Sequence, residues 1–304
     1  MRLKFYTLDV FTDKRLAGNP LAVVRGADGL DASRMQAIAR EFNLSETVFL
    51  LNPRDPVNTA RARIFTPSAE LPFAGHPTIG AAVLIAELDA PELLGGQELQ
   101  IVIEEQIGPV TCSVRRPKGK APRAQFAVPQ LPEWLGDGDG DVTAVAEALG
   151  LSDEDIGFDA HRPVMYSAGV GFTFVPVRTL EAIGRARANL SLWDRAIGPQ
   201  GHAAAYLYTR EVTDEKSHVH ARMFSPGLGI AEDPATGSAA AAFAGVAMEF
   251  EQPEDGEHVL VIEQGIEMGR PSQIVLTMDV QNGVLAGASI GGSALIVSRG
   301  EIEV

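Results

Sequence analysis

Two stretches of the sequence carry the same order of features, FTPSAELPFAGHPT at residues 65–78 and FSPGLGIAEDPATGSA at residues 224–239. Each begins with a Phe-Thr-Pro or Phe-Ser-Pro turn, continues to the pattern Glu-x-Pro-x-x-Gly, and ends where a helix is expected. The order predicts a strand, a turn and then a helix that begins near a glycine. Because the interval from Phe to Glu is three residues longer in the second stretch, we interpret the pair as a degenerate internal repeat. Coincidence between two unrelated turns is the alternative.

The segments around these two stretches predict a sheet-rich fold. Strand-like runs such as Glu46–Leu51 follow one another, and small-residue helices are predicted at about residues 78–88 and at about Gly237–Phe250. Since most neighbouring strands are not separated by a helix, a doubly wound parallel sheet fits poorly. We predict an α+β fold in which each sheet is wrapped against a helix. The acidic, glycine-rich residues 133–141 are predicted as a surface loop or linker near the domain junction.

Composition excludes several classes of function. The 304 residues include 40 acidic and 25 basic side chains, which give a formal net charge of -15. This sign disfavours nucleic acids and anionic membranes as partners, since both are bound by Lys and Arg. The longest apolar tract, residues 239–248, is far shorter than the roughly 20 residues of a membrane span, and the first residues lack the apolar core of a signal peptide. The single cysteine, Cys112, excludes an internal disulfide, and we predict a cytoplasmic enzyme.

The two glycine turns predict anion-binding sites. A turn that opens a helix directs free backbone N–H groups and the positive end of the helix dipole toward whatever lies in front of it. Such a site suits a carboxylate or an oxyanion. Neither turn matches a phosphate-binding P-loop or a dinucleotide fingerprint, so nucleotide binding is not predicted. The alternative is that Gly75 and Gly237 are only helix caps, and that Ser238 is only an N-cap residue.

Glu46 is a candidate acid/base residue because of the strand that it begins. Both alternating faces of Glu46–Leu51 are apolar, which predicts a strand buried on both sides. A carboxylate at its start would be partly desolvated, and desolvation raises a carboxyl pKa toward values that suit both accepting and donating a proton. The alternative is an ordinary solvated glutamate at a strand start.

Asp233 and His76 lie beside the two glycine turns. Asp233 is either an acid/base residue or a cap of the Asp-Pro turn. His76 can hydrogen-bond or protonate a substrate atom. Together with Glu46, these residues predict an acid/base pocket that uses no metal and no cofactor.

The motifs resemble those of the PhzF-like (phenazine-biosynthesis) isomerase family. They stand in family order, and the strand pattern extends the resemblance over nearly the whole chain. The matching motifs are Gly18-Asn19-Pro20, Leu44-Ser45-Glu46-Thr47, Phe65-Thr66-Pro67, Glu70-Leu71-Pro72-Phe73-Ala74-Gly75-His76-Pro77-Thr78 and Glu232-Asp233-Pro234-Ala235-Thr236-Gly237-Ser238-Ala239.

The resemblance implies a diaminopimelate-epimerase-like fold of two similar domains, each a curled, mostly antiparallel sheet around a central helix. We place the N-terminal domain at residues 1–118 plus about 290–304 and the C-terminal domain at about 119–289, with the active site in the cleft between them. The resemblance further implies that Glu46 is the proton-shuttling acid/base and that His76 and Asp233 assist it. The residues implied to bind the substrate carboxylate or to line its cleft are Gly75, Gly237, Ser238 and Asn19.

In the racemase branch of this fold, a cysteine precedes the glycine of each turn, whereas this chain has Ala74 and Thr236 there. A two-thiol racemase is therefore excluded. The resemblance implies a cofactor-free isomerase that moves a proton within a small carboxylated, cyclic amino or hydroxy acid, and it implies a homodimer. The family's characterised reaction is isomerisation of trans-2,3-dihydro-3-hydroxyanthranilate. The alternatives are a non-catalytic small-anion-binding protein and a cofactor-free epimerase or dehydratase of a proline-like acid.

Overall fold

The computed structural model describes residues 1–137, 141–197 and 204–304. The chain folds into two compact units. Unit 1 comprises Met1–Ala127 and Gly291–Val304, and unit 2 comprises Val128–Ile290.

Strands outnumber helices in the described residues. The strands are β1 (Arg2–Val10), β2 (Asn19–Arg25), β3 (Glu46–Leu51), β4 (Ala60–Phe65), β5 (Glu70–Leu71), β6 (Leu99–Glu105), β7 (Gly108–Arg115), β8 (Arg123–Ala127), β9 (Glu133–Asp137), β10 (Val164–Ser167), β11 (Gly171–Pro176), β12 (Ala205–Thr209), β13 (Val219–Ser225), β14 (Ile230–Asp233), β15 (Gly256–Gln264), β16 (Ser272–Gln281) and β17 (Val284–Glu303). The α-helices are α1 (Ala32–Phe42), α2 (Gly75–Asp89), α3 (Pro91–Leu94), α4 (Val142–Leu149), α5 (Leu180–Arg185), α6 (Leu190–Ala196) and α7 (Gly237–Phe250).

The strands of unit 1 form a closed ring. β1 pairs with β2, β2 with β3, β3 with β4, β4 with β6, β6 with β7 and β7 with β8. The part of β17 that belongs to unit 1 closes the ring, because β17 pairs with both β8 and β1. The β2–β3 and β4–β6 pairs are parallel. The antiparallel pairs are β1–β2, β1–β17, β3–β4, β6–β7 and β7–β8.

Helix α2 lies inside this ring, where it contacts β1, β2, β3, β6, β7 and β8. Residues 75–86 are all buried, as expected for a helix that is apolar or small on every side. A Cβ atom on Gly80 would lie only 2.5 Å from Leu21 Cδ2, so a small residue is needed where β2 approaches. The helix begins three residues before the predicted start at residue 78, since Pro77 is tolerated in a first turn whose N–H groups have no helical partner.

Helix α1 covers the outer face of the unit 1 sheet. Asp31 caps it by accepting a hydrogen bond from Arg34 N at 2.8 Å. The buried face of α1 packs against Phe49 and Leu51 of β3. Because α2 contacts β3 from inside the ring, β3 is buried on both sides, which confirms the expectation from its sequence.

Unit 2 repeats the strand order of unit 1. The succession β2–β3 parallel, β3–β4 antiparallel, β4–β6 parallel and β6–β7 antiparallel recurs as β11–β12, β12–β13, β13–β15 and β15–β16. β9 and β10 extend the second sheet beyond β11. The largely buried α7 contacts β9, β10, β11 and β16. The predicted α+β fold of two similar units, each with a curled sheet against a helix, is confirmed.

Helices α4, α5 and α6 cover the outer face of unit 2, in a hydrophobic cluster that includes the buried Trp193. None of the helices in the described parts of the chain combines the length and the hydropathy needed to cross a membrane.

The prediction of a loop at residues 133–141 is wrong for its first part, because Glu133–Asp137 forms β9 and pairs antiparallel with β10. A shift in the register of this pairing lies beside Gly136, whose φ is 143°. The glycine that indicated a loop thus marks a bulge within a strand. Residues 138–140 of the predicted loop lie outside the described residues.

Candidate active site

Glu46 is the first residue of β3 and lies at one end of the unit 1 ring. Parallel pairing places it opposite Leu21 of β2, two residues after Asn19, which begins β2. The other residues of β3 are buried, and the Glu46 side chain is 13% exposed. The expected partly desolvated carboxylate at the start of a buried strand is therefore present.

His76, the second residue of α2, lies beside Glu46. Its Nε2 is 3.2 Å from Glu46 Oε2, without the alignment of a hydrogen bond. Burial lowers the pKa of His76 to about 3, so the imidazole is neutral at neutral pH. A neutral imidazole can polarise a substrate oxygen by donating a hydrogen bond to it.

The start of α2 offers backbone N–H groups that no side chain caps. The N-cap residue is Ala74, which has no side-chain acceptor, and Gly75 follows it. The N–H groups of a first helical turn and the positive end of the helix dipole favour an anion. Because His76 belongs to the same turn, an anion bound there would lie next to the Glu46–His76 pair.

Asn19 lies at the same end of the ring and is fully buried. It follows Gly18, whose φ of 69° is a left-handed conformation that favours glycine. A Cβ atom on Gly18 would also collide with the carbonyl oxygen of Val10. The Gly-Asn-Pro turn therefore depends on glycine, and it fixes Asn19 at the start of β2, the strand next to β3.

In unit 2, Asp233 ends β14 and is buried. Its Oδ2 accepts a hydrogen bond of 2.5 Å from Oγ1 of Thr236, the N-cap residue of α7. The Thr236 side chain does not cap the helix. Gly237 and the half-buried Ser238 are the first residues of α7. Unit 2 therefore also has an acidic side chain beside a helix start without a side-chain cap.

Gln264, which ends β15, holds the turn between Asp233 and Thr236. Its Nε2 donates to Asp233 O at 2.7 Å and to Thr236 Oγ1 at 3.0 Å, and its Oε1 accepts from Thr236 N at 3.1 Å. The side chain is fully buried. Sequence reasoning missed Gln264 because it lies 28 residues from Thr236, and no local pattern joins them.

An Arg–Glu pair that the sequence analysis also missed supports each turn. Arg222 Nε and Nη2 donate to the two carboxylate oxygens of Glu232 at 2.8 and 2.9 Å. Arg63 makes the same bidentate contact with Glu70 at 2.7 and 2.6 Å. A signal was available, because each arginine stands two residues before the phenylalanine that opens its repeat.

His220 is a buried histidine of unit 2 whose two ring nitrogens both contact carboxylates. Nδ1 lies 2.8 Å from Glu263 Oε1, and Nε2 lies 2.9 Å from Glu267 Oε1. When both ring nitrogens donate, the ring is an imidazolium. Burial lowers the pKa of His220, but the hydrogen bonds and charges of the two carboxylates outweigh burial and raise it to about 9.

We expect this network to make the stability of the fold depend on pH. An unfolded histidine titrates near 6.5, so the stabilisation from protonated His220 is complete below that pH and is lost as the pH rises through about 9. Urea unfolding of the wild type and of His220→Gln, from about pH 6 to about pH 10, measures the effect. The difference in the free energy of unfolding should shrink toward alkaline pH, and a constant difference would contradict the expectation.

Two surface cavities lie away from the candidate residues. One, of about 560 Å³, is next to Asp89 at the end of α2, and the other, of about 470 Å³, is next to Glu251 just after α7. No group of three or more His, Cys, Asp and Glu side chains in the described ranges is arranged to hold a metal ion. Cys112 is a buried free thiol, and burial raises its pKa to about 12, which leaves it unreactive.

The predicted site residues thus form two groups. In unit 1, Glu46, Gly75 and His76 meet at the start of α2, with Asn19 at the same end of the ring. In unit 2, the group at the start of α7 consists of Asp233, Gly237 and Ser238.

Residues 8–300 match the protein family described as phenazine biosynthesis-like protein, PhzC-PhzF. The chain is 51% identical over 309 residues to an uncharacterized isomerase of Mesorhizobium japonicum, with 100% of each protein covered. It is 34% identical over 303 residues to the trans-2,3-dihydro-3-hydroxyanthranilate isomerase of Pseudomonas chlororaphis, with 98% of each covered.

The fold agrees with these relationships. A crystal structure of a Bacillus anthracis phenazine biosynthesis protein of the PhzF family superposes with a TM-score of 0.89 at 28% identity, over 100% of both chains. The family match, the isomerase homologues and the shared fold lead to one assignment. The chain belongs to the PhzC-PhzF family of phenazine biosynthesis-like proteins, and it is an isomerase.

Proposed function

We propose that this isomerase moves a proton within a small carboxylated cyclic acid, and that Glu46 accepts and returns the proton. The observation that carries the proposal is the 3.2 Å contact between Glu46 and His76 at a helix start without a side-chain cap. A carboxylate base, a neutral imidazole and free N–H groups are suited to proton transfer next to a bound carboxylate. Three relatives named trans-2,3-dihydro-3-hydroxyanthranilate isomerase support this substrate class.

In the proposed mechanism, N–H groups at the two helix starts bind the substrate carboxylate. Glu46 removes a proton from one ring carbon, and the C–H electron pair forms a new double bond. The existing double bond shifts, and Glu46 returns the proton to the carbon at its far end. His76 polarises the substrate during the transfer, and Asp233 assists. The reaction transfers no electrons to another molecule, so its atoms and electrons balance within the substrate and Glu46.

We propose that both units contribute to one site, in the two-domain arrangement expected from the family. The residues that would act together are Glu46, His76, Gly75 and Asn19 of unit 1 with Asp233, Gly237 and Ser238 of unit 2. Side chains and backbone of the chain supply every group in this mechanism, so we propose that it uses neither metal nor cofactor. Three acid/base side chains favour catalysis over simple anion binding, because binding requires only the helix starts.

The test is incubation with trans-2,3-dihydro-3-hydroxyanthranilate in heavy water, followed by nuclear magnetic resonance. We expect an isomerised product and incorporation of deuterium at carbon. A parallel incubation with trans-4-hydroxyproline tests the epimerase alternative, and exchange in that sample alone would overturn the proposed substrate class. Binding of the anthranilate by calorimetry, without isomerisation or exchange, would identify a non-catalytic anion-binding protein.

We further propose a cytoplasmic homodimer. The family resemblance supports the dimer, and a chain with a single, buried cysteine, Cys112, needs no oxidising compartment for an internal disulfide. Analytical ultracentrifugation at micromolar concentration should give a species of twice the mass of the chain, and a single monomeric species would contradict the dimer.

A further inference from the structure

Glu105 is a buried acid of unit 1 that the proposed mechanism does not use. It ends β6 and is 9% exposed. Its Oε1 lies 2.6 Å from Thr78 Oγ1, and its Oε2 has no hydrogen-bond partner among the described residues. In the part of the chain that the structure describes, no positively charged side chain lowers the pKa of Glu105. Such surroundings strongly destabilise an ionised carboxylate but tolerate a neutral acid.

Thr78 connects Glu105 to the start of α2. The Thr78 hydroxyl lies 2.8 Å from Ala74 O as well as 2.6 Å from Glu105, but it has only one hydrogen to donate. Helical threonines commonly donate to the carbonyl four residues earlier, which here is Ala74 O. If Thr78 gives its hydrogen to Ala74 O, the 2.6 Å contact requires a hydrogen from a protonated Glu105, whereas an ionised Glu105 would accept the hydrogen of Thr78 instead. With Glu105 protonated, the hydrogen bonds run from Glu105 through Thr78 to Ala74, the residue before Gly75.

The internal repeat provides an independent comparison. The register of β6 on β4 pairs Arg61 with Glu104, and the register of β15 on β13 pairs His220 with Glu263. Glu104 and Glu263 also have the same local role, because each accepts hydrogen bonds from two consecutive backbone N–H groups of a loop. The residue that follows Glu104 in β6 and the residue that follows Glu263 in β15 are therefore at equivalent positions in the two units.

The equivalent residues are Glu105 in unit 1 and Gln264 in unit 2. Gln264 is uncharged, and its Nε2 donates to the hydroxyl of Thr236 at the start of α7. A protonated glutamate has nearly the same shape and likewise offers both a donor and an acceptor. Unit 2 therefore shows a neutral side chain holding a helix start from this position.

We propose that Glu105 is kept as a neutral carboxylic acid and, through Thr78, is a positioning residue for the helix start that carries Gly75 and His76. Its effect on catalysis rests on the proposed function, whereas its protonation state does not.

The neutral state should end in the alkaline range, because burial raises the pKa of Glu105 to about 8. Among the described residues, the titratable group that faces Glu105 is the thiol of Cys112 in β7, whose pKa of about 12 keeps it neutral at this pH. The Thr78 hydroxyl of α2 also faces Glu105. His76, in the same helix, is neutral above about pH 3. Since an unfolded glutamate titrates near 4.5, the stabilisation from neutral Glu105 is complete below that pH and is lost as the pH rises through about 8.

Infrared difference spectra between the wild type and Glu105→Gln test the protonation state. At about pH 6, we expect the wild type to show the C=O band of a protonated carboxyl, which disappears above about pH 8. Glu104→Gln is the matched control, because hydrogen bonds from Asn58 and the backbone lower the pKa of Glu104 to about 2. That variant should lose a carboxylate band instead. A carboxylate band for Glu105 at about pH 6 would overturn the proposal.

Proton-exchange kinetics test the positioning role. The kcat of the wild type should fall above about pH 8, where Glu105 ionises. Glu105→Gln retains a hydrogen-bond donor that does not ionise, so its kcat should equal that of the wild type near neutral pH and should not fall above about pH 8. Thr78→Val should lower kcat about tenfold with little change in KM, as for the loss of one hydrogen bond, and Thr78→Ser should restore it. An alkaline decline that persists in Glu105→Gln, or a wild-type kcat in Thr78→Val, would overturn the role. If no substrate is turned over, the infrared result still decides the protonation state.

Discussion

Replacing Glu46 by glutamine is expected to abolish proton exchange while the fold and the binding of a carboxylated substrate are retained. The substitution is nearly isosteric and keeps hydrogen-bonding capacity, so packing at the start of β3 should hardly change. It removes the group to which we assign proton transfer. Loss of general acid–base catalysis costs on the order of 10²–10⁴-fold in rate, and a sole shuttle should lie at the upper end. Deuterium incorporation into trans-2,3-dihydro-3-hydroxyanthranilate measures the loss, and calorimetry measures the binding.

Glu41→Gln is the matched control for this experiment, because Glu41 is an exposed residue of α1 and undergoes the same chemical change. His76→Ala and Asp233→Asn should lower the rate less than Glu46→Gln, since these residues polarise or orient rather than carry the proton. Exchange by Glu46→Gln at a rate near that of the wild type would mean that another group is the shuttle.

Replacing Arg222 by methionine is expected to lower the free energy of unfolding by about 3–5 kcal/mol, the usual cost of removing one partner from a buried ion pair. The Arg222 side chain is 3% exposed. Besides its bidentate contact with Glu232, its Nη1 donates to Ile183 O and Ala186 O at 2.8 and 3.0 Å. Methionine fills a similar volume but leaves the carboxylate and both carbonyls without this donor. Urea unfolding followed by circular dichroism gives the difference.

Arg63→Met is the matched control, because Arg63 makes the equivalent contact in unit 1 with a side chain that is 27% exposed. Solvent reaches both Arg63 and Glu70, so the loss should be only about 1 kcal/mol. Equal losses in the two variants would show that burial does not determine the strength of these pairs.

The sequence was sufficient to predict the fold class and the elements with strong local signals. Both alternating faces of β3 carry apolar side chains in the sequence, and the strand is buried on both sides. Helix α7 spans Gly237–Phe250, as expected from its run of small residues. The closure of the unit 1 ring was beyond local reasoning, because β17 pairs with strands that lie far away in the sequence. β9 was missed because its glycine-rich composition is typical of a loop, while its pairing with β10 is a tertiary property.

In the candidate site, too, residues within local motifs could be predicted, whereas contacts between distant residues could not. Motifs located Glu46 and His76, which the structure brings into contact, and they located Asp233 beside the start of α7. Gln264, which holds the unit 2 turn, escaped notice because it lies 28 residues from Thr236 in the sequence, whereas the repeat did carry a signal for Arg63 and Arg222. Burial of Glu105 was equally invisible, since a glutamate that ends a strand is ordinarily charged and exposed. The catalytic roles themselves stay predictions until the variants are measured.

The closed ring of unit 1 has a consequence for folding during synthesis on the ribosome. Arg2 and Glu303, which are hydrogen-bonded across the seam between β1 and β17, are 301 residues apart. All of unit 2, Val128–Ile290, is translated between β8 and the part of β17 that closes the ring. Until that part emerges, β1 and β8 each present an open edge to other nascent chains. Ring closure is therefore a late, non-local step, and chains interrupted before it are the ones most exposed to aggregation and in need of chaperones.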